Sequence, residues 1–439
     1  MVDTGRSGHA VVLGAGIAGL LAARVLAEHY QTVTVLERDT LAGPAQRRGV
    51  PQGRHLHGLM EGGRAIIETL FPGITAEAVG CGAPVTEVLV GSRWYLSGLR
   101  ARPTPTGLTT LLASRPLLES LIRGRVAALP GVSLRQGAVA DGPIAAEGAI
   151  AGVRLRPAGA GDSGVVAADL VVDATGRASR AAEWLASAAM PVPVVERVDV
   201  DLGYSSRTYR YRPDHLGGDL AVVVSTMPGR RGGGAIRVEG DRWHVTLGGM
   251  LGDHPPTEHA GFESWAATLP VPDIHQLIAA AEPLDDPVPH RFTGSQRRYF
   301  ERLGAHPDGF LALGDALCSF NPLYAQGMTV AAQQAMALRE CLDEGRNGLP
   351  GRFYTRAAPL IDVAWQMSTN ADLNYPGVHG KRTLRTRLTN AYVRRCHVAA
   401  HADPAVARAF MRVANLVDPA AELLHPATIA RVLRRGTPT

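Results

Sequence analysis

Residues 9–38 read HAVVLGAGIAGLLAARVLAEHYQTVTVLER. A short apolar run, residues 10–13, leads into Gly14, Gly16 and Gly19, spaced G-x-G-x-x-G. A helix-forming run to Glu28 follows, then a β-branched run over residues 32–36 that closes on Glu37 and Arg38. Strand, glycine turn, helix, strand and a terminal acid in this order spell a dinucleotide-binding βαβ unit. Gly14 permits the tight turn, and Gly16, after Ala15, leaves the backbone open to a pyrophosphate. Gly19 lets helix and strand approach closely. The helix N-terminus offers free N–H groups and a positive dipole end to phosphate. The Glu37 carboxylate is placed to accept hydrogen bonds from ribose hydroxyls. In a chain with 50 glycines the spacing alone would be weak, so the flanking strand and helix carry the reading. Residues 10–27 are apolar enough to suggest a membrane span, but the glycine spacing and the β-run behind it argue against one.

A chain of 439 residues has room for two or three domains with their own cores. The net charge of +5 rests almost wholly on arginine, because Lys381 is the single lysine. No dense basic run interleaved with aromatics appears, so nucleic acid is not an expected partner. Cys81, Cys318, Cys341 and Cys396 lie far apart without a C-x-x-C pair, which speaks against a zinc site or a disulfide framework. No basic-then-apolar leader and no second long apolar stretch stand out, so the expectation is a cytoplasmic protein without a membrane partner.

The segment after Glu37 is a loop rich in Pro, Gly and Arg, in which Arg47, Arg48 and Arg54 are candidates to neutralise phosphates. His55 and His57 form an H-x-H pair with no third ligand nearby, which favours contact with a cofactor or substrate, or simple burial, over metal binding. Helical periodicity resumes over 59–70, and residues 85–100 alternate like a strand. Residues 114–128 predict an amphipathic helix with Ser114 as N-cap and Pro116 in the first turn. Arg115, at its start, either reaches the cofactor or is a surface arginine. A strand and a Gly/Ala-rich hairpin over about 150–172 follow.

In DLVVDATGRASR, residues 169–180, a buried strand ends on Asp173, where a parallel sheet would present its carboxyl edge to a ligand. Residues 190–300 hold short β-runs broken by Gly and Pro, an antiparallel sheet. In FLALGDALCSFNPLYAQGM, residues 310–328, a strand ends on Gly314-Asp315, a loop holds Pro322 and Tyr324, and Gly327 opens a helix. The chain beyond 350 is mostly helical, with KRTLRTRL expected as a solvent-facing helix surface. The predicted class is α/β: a Rossmann-like nucleotide-binding domain (1–75, 101–185 and 290–345), an antiparallel-sheet substrate domain (76–100 and 186–289) and a C-terminal helical region (346–439).

Taken in order, GAGIAG with Glu37, DATGRASR and GDALCSFNPLYAQGM resemble the para-hydroxybenzoate-hydroxylase-like FAD-dependent monooxygenases. With RRGVPQGRHLHGL and SRPLL added, the chain is most similar to the flavin epoxidases of polyether-ionophore biosynthesis, over residues 9 to about 375. That resemblance implies a Glu37 contact to the adenosine ribose, Arg115 near the pyrophosphate of FAD and Val139 holding adenine through its backbone. It implies Asp315 at the ribityl–pyrophosphate region, the Pro322 loop over the isoalloxazine edge, and Gly327 and Met328 offering N–H groups to the N1–C2=O end. It further implies oxygen transfer from a flavin C4a-hydroperoxide to a large, mostly apolar polyketide-like metabolite. NAD(P)H, or reduced flavin from a partner reductase, would supply the electrons. Because the cofactor carries the hard chemistry, the catalytic side chain stays unknown, with Pro322, Tyr324 and His57 as candidates. Related enzymes usually have glycine where this chain has Ala325. That departure keeps open a second function, a redox-neutral [4+2]-type cyclase with FAD as a structural wall. A halogenase is disfavoured because no W-x-W-x-I-P stretch occurs.

Overall fold

Five short segments, far apart in the chain, build one parallel sheet in the order Phe310–Ala312, Leu170–Asp173, His9–Leu13, Thr32–Glu37 and Val132–Gln136. The computed structural model describes residues 7–156 and 164–435. Leu13 pairs with Leu36 on one side and Asp173 on the other, so three strands end level at the Gly14 turn. The central strands are almost continuously apolar because helices cover the sheet. The helix Ile17–His29 follows the turn, and Gly327–Asp343 packs against it within the same core. Gly14 has φ +97°, a conformation that only glycine adopts cheaply. A Cβ on Gly19 would stand 1.9 Å from the Gly14 carbonyl oxygen, which is the close packing the motif predicts.

The second sheet has eight strands, in the order Cys318–Ser319, Val288–Arg298, Val195–Arg210, Arg242–Gly249, Arg231–Val238, Ala221–Val224, Ser92–Leu96 and Leu99–Arg100. Every pairing is antiparallel except Ala221–Val224 with Ser92–Leu96. Helices His259–Ala266 and Asp273–Ala280 pack on it around buried Trp243, Phe262 and Trp265. The segment 85–100, read as one strand, is broken into Val85–Glu87, Ser92–Leu96 and Leu99–Arg100, shared between two sheets. Ser97, at φ +51°, makes the turn between the last two. The expected hairpin is a three-stranded antiparallel piece, Ala140–Ala146, Ala149–Leu155 and Val165–Ala167. Residues 157–163 of that stretch lie outside the described residues.

Residues 290–298, assigned from sequence to the nucleotide-binding domain, pair with 195–204 in the antiparallel sheet. The helix Leu349–Asp372, assigned to a separate C-terminal region, shares the nucleotide-domain core through Phe353 and Tyr354. The Tyr354 hydroxyl accepts the Ala312 N–H at 2.7 Å. The last helices, Leu384–Ala402, Pro404–Ala414 and Pro426–Arg435, form their own cluster against Val88, Leu96 and Leu108. The basic stretch at 381–388 is more than a solvated face: Arg382 donates to the carbonyls of Leu373, Tyr375 and Val378 at 2.7–3.1 Å. It thereby caps the end of the long helix. Among the described residues no helix is long and apolar enough to cross a membrane.

Candidate functional site

A single cavity of about 1620 Å³ runs from the Gly14 turn, between the two sheets, to the C-terminal helices. One small-molecule pocket is typically about 300–1,000 Å³, so this volume can hold two ligands side by side. At one end stand Gly14, Gly16, Glu37, Arg38, Arg115, Val139, Asp315, Gly327 and Met328, brought together from four separate stretches of sequence. A Cβ on Gly16 would meet nothing within 4 Å, which leaves backbone bare for an approaching phosphate. Ser114 caps the helix Arg115–Ala127 by accepting the Leu117 N–H, and this fixes Arg115 at the cleft. Val139, expected within a strand, lies three residues past the end of the observed strand Val132–Gln136. Its carbonyl accepts the Arg156 N–H at 2.8 Å.

Glu37 is 6% exposed and already engaged. Its carboxylate accepts the Ala15 and Asp39 N–H groups at 2.8 and 3.0 Å. Arg47 makes an ion pair with it at 3.0 Å and a second with Glu119 at 2.6 Å. Ala15 itself is buried and serves the site through its backbone. Neither Arg47 as an organising group nor Glu119 could be singled out from the sequence, because their partners are 10 and 72 residues from Arg47. Arg48 and Arg54, two of the three phosphate candidates, are exposed and do not line the cleft; Arg47 does.

Asp173 departs from its predicted role. It is wholly buried, and it accepts from the Thr175 N–H and hydroxyl and from Ser179, at 2.5–2.9 Å. It therefore shapes the turn that brings Arg177 to the cavity instead of facing a ligand. Asp315 sits at the cleft, where burial pushes its pKa up while Arg115, Arg177 and Arg298 oppose that shift. A Cβ on Gly327 would lie 3.7 Å from the Asp315 carboxylate. The Gln334 side chain, on the same helix, accepts the Gly314 N–H at 2.7 Å. Strand end and helix start are thereby held as one unit, with the positive end of the helix dipole at the cavity. Open backbone at Gly16, a bound acid at Glu37 and a helix start at Gly327 fit a dinucleotide with a flavin ring. Among the described residues no three His, Cys, Asp or Glu side chains gather as a metal site.

The catalytic candidates fare differently. His57 lines the cavity, but burial and the nearby Arg115 push its pKa down to about 3, so it stays neutral and is a poor proton acceptor. His55 turns away, bonds Ser206 at 2.8 Å and lies edge-on to Tyr204. The Pro322–Tyr324 turn lines the cavity, but the Tyr324 hydroxyl is committed to Asp372 at 2.8 Å. Asn321 donates to the same carboxyl oxygen at 2.8 Å. Asp372, which the sequence did not flag inside a long helix, is 0% exposed, and burial pushes its pKa up to about 7. The unfolded value is about 3.9. The folded state therefore keeps a proton that the unfolded chain releases, and stability from this group is lost as pH rises from about 4 to 7. Unfolding in urea at stepped pH should show the wild type losing about 4 kcal/mol relative to Asp372→Asn across that window, with no further divergence above it.

The NAD(P)-binding Rossmann-like domain family matches residues 12–60. The chain is 33% identical to Protein Rv3254 of Mycobacterium tuberculosis over 436 residues, covering 94% of this chain and 92% of that protein. It is 27% identical to a kynurenine 3-monooxygenase of Salinispora arenicola, over 82% of this chain and 78% of the relative. Among solved structures, the flavin-dependent brominase Bmp2 superposes with a TM-score of 0.68 at 15% identity, covering 98% of this chain and 99% of that one.

Proposed function

The chain is a relative of Protein Rv3254 and belongs to the FAD-dependent, monooxygenase-like flavoproteins, and from that premise we propose that it inserts one oxygen atom into a large, mostly apolar, polyketide-like metabolite, as an epoxidase or hydroxylase. The observation that carries this reading is the cavity, whose nucleotide end continues without interruption into a second, largely apolar chamber. FAD, when bound and reduced, supplies the activation of O₂ and the transfer of one oxygen atom. The chain's own residues bind, orient and exclude water. Glu37 and Arg115 take the nucleotide end, Asp315 the middle and the helix start at Gly327 and Met328 the ring end. The Pro322–Tyr324 turn, braced by Asp372, walls the place where both ligands meet. Epoxidation asks for no protein base, which agrees with a neutral His57 and a committed Tyr324. This enzyme of the cytoplasm takes its electrons from NAD(P)H or from reduced flavin handed over by a reductase. Purified protein with FAD, reductant and an apolar, alkene-containing polyketide under ¹⁸O₂ should give a product heavier than that substrate by one labelled oxygen. An unlabelled isomer formed without reductant would identify a redox-neutral cyclase instead.

Ala325 is the observation that keeps the cyclase as the second reading. It adopts φ 53°, ψ 22°, the left-handed region, and its methyl group faces Gly58, where an added Cβ would come within 3.2 Å of it. The methyl is thus accommodated by a glycine directly beside it in the cavity wall. Ala325→Gly removes a left-handed alanine and should raise stability by about 1 kcal/mol in urea unfolding. On the oxygenase reading it leaves FAD affinity unchanged.

A further inference from the structure

The far end of the cavity carries a polar pair that the flavin reading does not use. The Ser97 hydroxyl and His397 Nδ1 are 2.8 Å apart. Ser97 sits on a turn at φ +51°, and its N–H donates to the Ser225 hydroxyl at 3.1 Å. The Ser225 hydroxyl in turn donates to the Met227 carbonyl at 3.2 Å. His397 comes from the helix Leu384–Ala402 and meets Phe410 edge-on, with ring centroids 4.9 Å apart. Two elements 300 residues apart in sequence therefore fix one imidazole in a single orientation. Ser97, Ser225, His397 and Phe410 all line the cavity, among Leu96, Val393 and Met411. Nε2 of His397 has no protein partner among the described residues. Burial, with no carboxylate nearby, pushes its pKa down to about 4, so the ring is neutral. His397 is half-buried and lines the cavity, so Nε2 is a bonding site open to whatever fills the chamber. A neutral imidazole in either tautomer is satisfied by a hydroxyl group, which both donates and accepts.

We propose that the Ser97–His397 pair is a substrate anchor, which takes a neutral hydroxyl oxygen of an elongated apolar molecule through His397 Nε2 and so sets how far that molecule's other end reaches toward the Gly327 end of the cavity. This rests on the cavity's second chamber being the substrate chamber. Anchoring at the end remote from the flavin determines which carbon is presented to it, so the pair governs regiochemistry without touching the reacting atoms. The energetic contribution is that of one buried hydrogen bond, which corresponds to a change in affinity of about fivefold to tenfold.

The test uses the FAD-loaded protein and calorimetric titration with octan-1-ol, n-octane and octanoate. Octan-1-ol should bind more tightly than n-octane and octanoate. His397→Phe should weaken octan-1-ol by about fivefold to tenfold and leave n-octane unchanged. His397→Gln, whose amide reaches the Nε2 position, should restore part of the loss. FAD affinity, measured separately, should match the wild type in both variants, because the pair lies at the opposite end of the cavity. Equal octan-1-ol binding by wild type and His397→Phe, no octan-1-ol binding by the wild type, or a preference for octanoate would each overturn the anchor. Failure of the wild-type protein to take up FAD would instead overturn the oxygenase reading, and the two results are read from different titrations.

Discussion

Gly16→Ala should fold with wild-type stability and bind FAD more weakly, whereas Gly19→Ala should be strongly destabilised. The two glycines stand three residues apart and face opposite demands. A Cβ on Gly16 meets no protein atom within 4 Å, and its backbone, at φ −75° and ψ 177°, suits alanine. Urea unfolding without cofactor should therefore move by no more than about 0.5 kcal/mol. The added methyl occupies the approach of the pyrophosphate, so FAD affinity should fall by about tenfold or more. A Cβ on Gly19 would lie 1.9 Å from the carbonyl oxygen and 3.1 Å from the carbonyl carbon of Gly14. Both are backbone atoms of a turn that cannot yield, and the cost should reach about 3 kcal/mol or more. Flavin titration beside urea unfolding separates the two. Equal behaviour of the variants would mean that the glycine turn is not a phosphate cradle.

Arg47→Ala should be the most damaging single change in the cleft. The Arg47 side chain is 5% exposed and stands between Glu37 and Glu119, whose side chains are 8% and 5% exposed. Without it two nearly sealed carboxylates face one another, and among the described residues only Glu119 keeps arginine ion pairs, Arg115 at 3.6 Å and Arg123 at 3.9 Å. Breaking a buried ion pair from one side costs about 3–5 kcal/mol. FAD affinity should fall together with stability, because the Glu37 carboxylate loses one of the groups that orient it. Adding Glu119→Gln should return part of the stability by removing one of the unpaired charges. A single variant that unfolds within about 1 kcal/mol of wild type would mean that the triad is solvated like a surface pair.

The βαβ unit was legible because its signal is local. Glycine spacing, apolar strands and a terminal acid all lie within residues 9–37, and together they leave one physical meaning. Glu37, Arg115, Asp315 and Gly327 line one cavity because motif and sheet edge coincide. The errors occurred where a side chain's task depends on distant partners. Asp173 ends a strand at the right edge, yet Thr175 and Ser179 take its oxygens. Arg47 and Arg48 are adjacent, and the loop's path alone decides which one turns inward. Asp372 and His397 sit in helices whose periodicity reveals only a buried face. What they meet, the turn at 321–324 and Ser97, comes from other elements. The domain division blurred for the same reason, since the helix Leu349–Asp372 is amphipathic in sequence and only its packing shows which core it joins.

The parallel sheet also sets a timetable for biosynthesis. Its outer strand is Phe310–Ala312, and Asp315 and Gly327 follow it. At about 5–20 residues per second, a ribosome needs roughly 15 to 60 s to reach that strand after the Gly14 turn has emerged. The nascent chain thus carries a glycine turn it cannot use, with the edge of Leu170–Asp173 unpaired on that side. Flavin capture is confined to the last quarter of translation or later, so cellular FAD scarcity would act on a nearly finished polypeptide and leave its early folding untouched.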